Sequence, residues 1–252
     1  MKDFTLEMYR ELVRFFLTSG YTICSVDDYL SGSNDARNTV IMRHDIDRRI
    51  YKAVDFAHIE RDLGIRATYY FRHPYTFQPP VIQKVRDMGH EIGYHYEVMS
   101  KADGDPDLAG KLFQQELNDF RKYFPVKTVC MHGAPLSKYD NRDFWNHYSF
   151  EEFDLLGEAY LSINCVYYYS DTGRTWSNTH KIRDRLQNQI NSSSEDVHST
   201  WDLIRAIDDN KPHIVYILTH PERWAGSSGE WIYLGGVDTV VNAGKKVLSC
   251  IR

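Results

Sequence analysis

A helical face, a glycine and then a β-rich run follow one another twice after Ile50, and this phrase limits the fold more than any other part of the chain. Ala53, Val54, Ala57 and Leu63 recur at helical spacing over residues 50–63, and Gly64 stands where a left-handed helix end is needed. Ala67-Thr68-Tyr69-Tyr70-Phe71 then has the β-branched and aromatic content of a strand. Pro79-Pro80 opens a second helix through Val81, Ile82 and Val85, Gly89 ends it, and residues 90–97 read as the next strand. Strands joined through helices run parallel. A buried strand is expected from Thr39 onward, a short one over 21–25, and others over 127–131, 162–169 and 213–218. Further helices are expected over 107–123 and after the capping sequence Ser199-Thr200-Trp201-Asp202.

This alternation predicts an α/β chain, either a barrel or an open sheet with helices outside parallel strands. A barrel is preferred, because residues able to do chemistry follow at least four different strands and a barrel gathers strand ends on one face. The chain has 252 residues, 42% of them hydrophobic, which suits one large domain spanning 1–252 with an N-terminal helix and strand in 1–38 packed on it. A net charge of -5 without a basic block argues against nucleic acid as a partner. No apolar run approaches the roughly 20 residues of a membrane span, so no transmembrane segment is expected. Glu7, Arg10, Glu11 and Arg14 make the N-terminal segment a charged amphipathic helix rather than a secretion signal, and a cytoplasmic location is expected. Cys24, Cys130, Cys165 and Cys250 are scattered, which fits buried thiols in a reducing compartment. Residues 31–37 and 187–197 are polar and read as loops.

The strand from Thr39 ends in Arg43-His44-Asp45-Ile46-Asp47. Two carboxylates two residues apart project to one face, where their repulsion calls for a proton or a cation. Pairing with Arg43, Arg48 and Arg49 as a structural ion network is the competing account. His95 and Glu97 close the third strand with the same spacing, and with Asp47 they offer three ligands and an open position for water. His132 precedes Gly133-Ala134-Pro135, turn chemistry that lets a backbone approach a ligand. His220 ends the most apolar strand, beside Pro221, and suits acid-base work near neutral pH. Asp171, Arg174 and Trp176 join an acid, a base and a ring in one loop: Asp171 paired with Arg174 could orient a further carboxylate, and Trp176 could stack on a sugar. Tyr94, Tyr96, Trp224 and Trp231 are further aromatic platforms, although most aromatics in a barrel are core.

Taken in order, Arg43-His44-Asp45-Ile46-Asp47, Gly89-His90-Glu91-Ile92-Gly93-Tyr94-His95, His132-Gly133-Ala134-Pro135, the segment from Asp171 to Trp176, and Leu218-Thr219-His220 resemble the polysaccharide deacetylases. This is the NodB-homology group, carbohydrate esterase family 4, and the likeness runs over residues 39–220. It implies a distorted TIM-like (β/α) barrel of the polysaccharide deacetylase type. It further implies a divalent cation, zinc first among them, and removal of an acetyl or related acyl group from an amino sugar. Asp45 would be the base, Asp47 and His95 metal ligands, and His220 the acid, with Tyr96, Pro135, Asp171, Arg174, Trp176 and Trp224 around the substrate. Two positions depart from the family. Met99 stands where a second metal histidine is common, which leaves Glu97 or His132 to complete the ligand set, and no arginine matches the third motif. Within the family the chain looks most like a bacterial branch associated with surface-polysaccharide and O-antigen genes. The implied partner is an acylated sugar, nucleotide-linked, lipid-linked or within an oligosaccharide. The alternatives are a sugar-binding relative without catalysis, or hydrolysis of another amide, a ureide or a glycosidic bond.

Overall fold

Every strand pairing in the computed structural model is parallel. The structure describes residues 2–32, 38–177, 183–186, 188–190 and 197–251, with backbone only from 240 onward. In chain order the elements are α1 (Leu6–Thr18), β1 (Thr22–Cys24), α2 (Val26–Leu30), β2 (Thr39–Ile46), α3 (Tyr51–Asp62), β3 (Thr68–Arg72), α4 (Pro79–Asp87) and β4 (Glu91–Tyr96). They continue as α5 (Val98–Lys101), α6 (Pro106–Arg121), β5 (Thr128–Met131), β6 (Gly157–Glu158), β7 (Tyr167–Ser170), α7 (Thr200–Asn210), β8 (Ile214–Thr219) and α8 (Ser228–Ile251). The sheet runs β6-β5-β4-β3-β2-β8-β7, and β1 pairs with the first residues of β2.

Side chains show that this sheet is curled. β6 and β8 stand five places apart in the strand order, about 24 Å across a flat sheet. Yet the Tyr216 hydroxyl on β8 donates to the Ala159 carbonyl just past β6 at 3.0 Å. The result is a partly closed barrel, compatible with the TIM-like expectation, in which β6 and β7 do not pair among the described residues. Asp184 spans that seam, accepting hydrogen bonds from Tyr160 on one side and from Tyr168, Ser170 and Thr172 on the other.

Alternation along β2 divides its chemistry. Arg43 and Asp45 face the barrel interior, while His44 faces outward to Glu60 of α3 and Thr219 of β8. Tyr70 fills the interior beside Gly93, where a Cβ would lie 2.3 Å from the Tyr70 ring. On the outer face α1 buries Met8, Tyr9, Leu12, Val13 and Phe16, with Thr5 capping its first turn. Each fully buried large side chain of this kind contributes about 1.5–3 kcal/mol.

The helix-glycine-strand units lie close to their expected limits, and Ser199 with Asp202 forms the capping box that opens α7. Three expectations need correction. The strand expected over 162–169 begins at Tyr167, because Cys165 takes a left-handed backbone (φ 56°). Its thiol is exposed rather than buried, unlike those of Cys24 and Cys130. α8, the longest helix, had no counterpart in the sequence reading. The loops expected over 31–37 and 187–197 lie largely outside the described residues, as does the Cys250 side chain. No helix among the described residues is long and apolar enough to cross a membrane.

Candidate active site

The C-terminal ends of β2, β4 and β5 bring Asp47, His95 and His132 together. Cross-strand register sets this up: Ile46 pairs with Phe71, Arg72 with His95, and Tyr96 with Met131. The His132 amide donates to the Tyr96 carbonyl at 2.7 Å and so extends the β4–β5 ladder by one residue. Asp47 Oδ1 stands 3.4 Å from His95 Nε2 and 3.6 Å from His132 Nε2. It is a buried oxygen with no hydrogen-bond donor among the described residues. Ligand atoms of a tetrahedral ion bonded at about 2.0–2.1 Å sit about 3.3–3.4 Å apart, so each histidine nitrogen stands from Asp47 Oδ1 at a distance that suits a shared cation, whereas the group of three whose ligand atoms all lie within 4.8 Å of one another is Asp45, His95 and Cys130.

The far sides of both imidazoles are occupied by acceptors. His95 Nδ1 lies 3.0 Å from the Cys130 carbonyl and His132 Nδ1 lies 2.8 Å from Glu97 Oε2. An acceptor at Nδ1 places the proton there and leaves the Nε2 lone pair of the neutral ring for a metal. Glu97 is therefore behind His132 rather than beside Asp47. Arg72 donates to both of its oxygens at 3.0 and 2.8 Å, and Lys101 lies 3.9 Å away. Burial would raise the Glu97 pKa, but His132, Arg72 and Lys101 outweigh it and hold the carboxyl below its ordinary range. Asp47 is depressed further: burial opposes its charge, and His132, His95 and His220 overcome that penalty.

Asp45 lies deeper and has a different partner. Arg43 Nη2 is 3.4 Å from its Oδ2, and the guanidinium is 4.1 Å from the Tyr160 ring centroid. Asp45, His95 and Cys130 bring ligand atoms within 4.8 Å of one another, and this buried group could hold a metal ion. Its chemistry is less apt than that of the Asp47 side. Burial pushes the Cys130 thiol well up despite Arg43 in the metal-free chain, so a cation there would have to displace its proton and would sit beside a guanidinium.

His220 completes the arrangement from β8. Its Nδ1 is 2.6 Å from Asp171 Oδ1, its amide donates to the same carboxylate, and Trp224 Nε1 donates to Asp171 Oδ2 at 2.7 Å. Burial would lower the His220 pKa, but Asp171 more than compensates and carries it up to about 9. The imidazolium is thus the resting form at neutral pH, with Nε2 free to donate. Glu222, two residues on, is a buried carboxyl whose oxygens accept no hydrogen bond among the described residues; burial, with Asp47 nearby, pushes it up to about 7.

A cavity of about 600 Å³ opens onto Asp45, Asp47, His95, His132, Pro135 and His220. Such a volume accommodates a small ligand. Five residues expected around a substrate are placed elsewhere. Tyr96 alternates to the outer face, where its hydroxyl accepts from Trp145. Trp176 is fully buried against Phe4 and donates to Thr200, and Trp224 is buried as the donor to Asp171. Arg174 lies over Phe4 and Trp231 and approaches Asp238 at 3.9 Å, so it does not pair with Asp171 by side chain. Asp171 itself touches His220 rather than the cavity. Residues that the sequence reading missed are Arg72, Tyr75, Tyr160, Arg183 and Asp184, all on the cavity wall. Only strand register or loop packing reveals them. No protein-family model and no curated protein matches the chain, so the functional argument rests on the site.

Proposed function

We propose that the protein is a metal-dependent hydrolase that removes an acetyl or related acyl group from an amino sugar. The observation that carries this reading is Asp47 Oδ1 flanked by two oriented imidazole Nε2 atoms, in one cavity with the Asp45 carboxylate and the His220 imidazolium. Asp47, His95 and His132 would hold the cation, and an oxygen and nitrogen donor set of this kind suits zinc. When bound, such an ion polarises an acyl oxygen and lowers the pKa of water toward about 7.

The chain's own groups supply the proton transfers. Asp45 is held by Arg43 as an acceptor at the cavity wall and takes the proton of the attacking water. His220, protonated on both nitrogens, gives its Nε2 proton to the departing amine, which would otherwise leave as a poor anion. Asp171 holds that ring and its charge in place. Cys130, buried and protonated, takes no nucleophilic part. The sequence resemblance supports surface-polysaccharide or O-antigen biosynthesis as the setting.

The test is to purify the full chain, measure bound metal, and assay acetate released from N-acetylated amino sugars with and without added zinc. Acetate formation that needs the metal is expected. A new reducing end without acetate would overturn the reading in favour of glycosidic cleavage.

A further inference from the structure

The cavity is unevenly charged. Asp45, Asp47 and Asp184 are its acidic lining residues, against Arg48, Arg49, Arg72, Arg183 and Arg223. Three of these arginines have carboxylate partners: Arg72 has Glu97, Arg223 has Asp238 at 2.6 Å and Arg49 has Glu230 at 2.5 Å. Arg48 does not. Its side chain is 53% exposed, it makes no side-chain hydrogen bond among the described residues, and Glu222 Oε1 is 3.8 Å from its Nε. That distance is beyond a hydrogen bond and leaves the terminal fork without a partner.

The loop that presents Arg48 is fixed. Arg49 adopts a left-handed backbone (φ 51°), which only firm surroundings sustain in a residue of this size. Those surroundings are Glu230 of α8, which accepts from both Arg49 and Lys52. Arg48 follows Asp47 directly, and consecutive Cα atoms are about 3.8 Å apart. Both residues line the one cavity, so an anion gripped by Arg48 and an acyl group placed at Asp47 would share it.

We propose that the substrate carries an anionic group, a phosphate ester or a carboxylate, beside its acylated ring, and that Arg48 is the docking point for that group. A planar guanidinium fork matches either oxyanion in bidentate fashion. The proposal rests on the deacylase reading for the position of the acyl group, but its test does not need turnover.

Binding to the full chain is measured by calorimetry with N-acetylglucosamine, N-acetylglucosamine 1-phosphate, glucuronate and inorganic phosphate. The charged sugars are expected to bind at least about tenfold more tightly than the neutral one, and Arg48→Gln to remove about that factor while leaving the melting curve in place. Preference for the sugar phosphate assigns the anion to a phosphate ester, and preference for glucuronate assigns it to a carboxylate. Equal binding of charged and neutral sugars, full retention of affinity in Arg48→Gln, or no heat with any probe overturns the proposal. Arg48-dependent binding without acetate release would instead overturn the deacylase reading and keep this one.

Discussion

Glu97 Oε2 lies 2.8 Å from His132 Nδ1, and this contact decides which way the imidazole faces. With Nδ1 engaged, Nε2 lies 3.6 Å from Asp47, and under the proposed function the second histidine would come from the end of β5 instead of from α5 after β4. Met99, which stands in α5, is 4% exposed and packed in the core. The carboxylate behind His132 is itself fixed by Arg72, so charge, hydrogen bond and ring orientation support one another.

If Glu97 orients rather than ligates, Glu97→Gln should keep the metal site but weaken it about 10- to 100-fold, the usual cost of losing a partner behind a metal histidine. His132→Ala should lose more. Zinc affinity by chelator competition checks both, and a Glu97→Gln protein as deficient as His132→Ala would make Glu97 a ligand instead.

His220 titrates at about 9 because of Asp171, so turnover that needs the imidazolium should hold through neutral pH and fall above about 9. In Asp171→Asn the alkaline limb should move down toward the ordinary histidine value of about 6.5. The rate at pH 8 should drop by about 30-fold, the fall in the imidazolium fraction when its pKa moves from about 9 to about 6.5. Stability follows the same sign: a raised pKa contributes stability that is complete below about 6.5 and lost as pH rises through about 9. A pH profile of kcat with an unmoved limb in Asp171→Asn would remove His220 from the acid role.

The alternation of helices and strands was readable because each helix carries an apolar stripe and ends at a glycine, and His220 stood out at the end of an apolar run. Asp45 and Asp47 were legible as a pair but not as unequal partners, since that depends on Arg43 folding back inside the barrel. Choosing between Glu97 and His132 needs the register of β4 against β5, which no local pattern encodes. Trp176 and Trp224 are indistinguishable from sugar platforms in the sequence, which gives the size of a ring and not the side it faces. α8 escaped notice because Gly235-Gly236 and the β-branched run after it dilute the helical signal.

Arg43 is the cation that the interior carboxylate answers to. It contacts Asp45, donates to the Tyr216 hydroxyl at 2.9 Å and is wholly buried. Arg43→Met should cost about 3–5 kcal/mol, because Asp45 is left as an uncompensated buried charge. Adding Asp45→Asn should recover part of the loss. Urea denaturation of the two single variants and the double variant measures the coupling, and strict additivity would show that the pair does not act as a pair.

On the opposite face of β2, His44 is held between Thr219 and Glu60, and Glu60 also accepts from Tyr9 and Tyr69. Burial disfavours the Glu60 carboxylate, but His44 and the hydrogen bonds overcome this and lower its pKa from 4.5 to about 2. A lowered pKa contributes stability that is present above about 4.5 and lost as pH falls through about 2. A depression of this size is worth about 3 kcal/mol at neutral pH. Glu60→Gln should therefore lower the unfolding free energy at pH 7 by about that amount, and the gap from wild type should close as both are acidified. Because His44 sits between Arg43 and Asp45 in sequence, anchoring it outward is what keeps both neighbours turned inward. Glu60→Gln should thus also reduce turnover at pH 7 without changing any group in the cavity. Urea midpoints across the acid range test the first effect, and a variant equally destabilised at pH 7 and pH 2.5 would show that packing rather than the carboxylate charge is responsible.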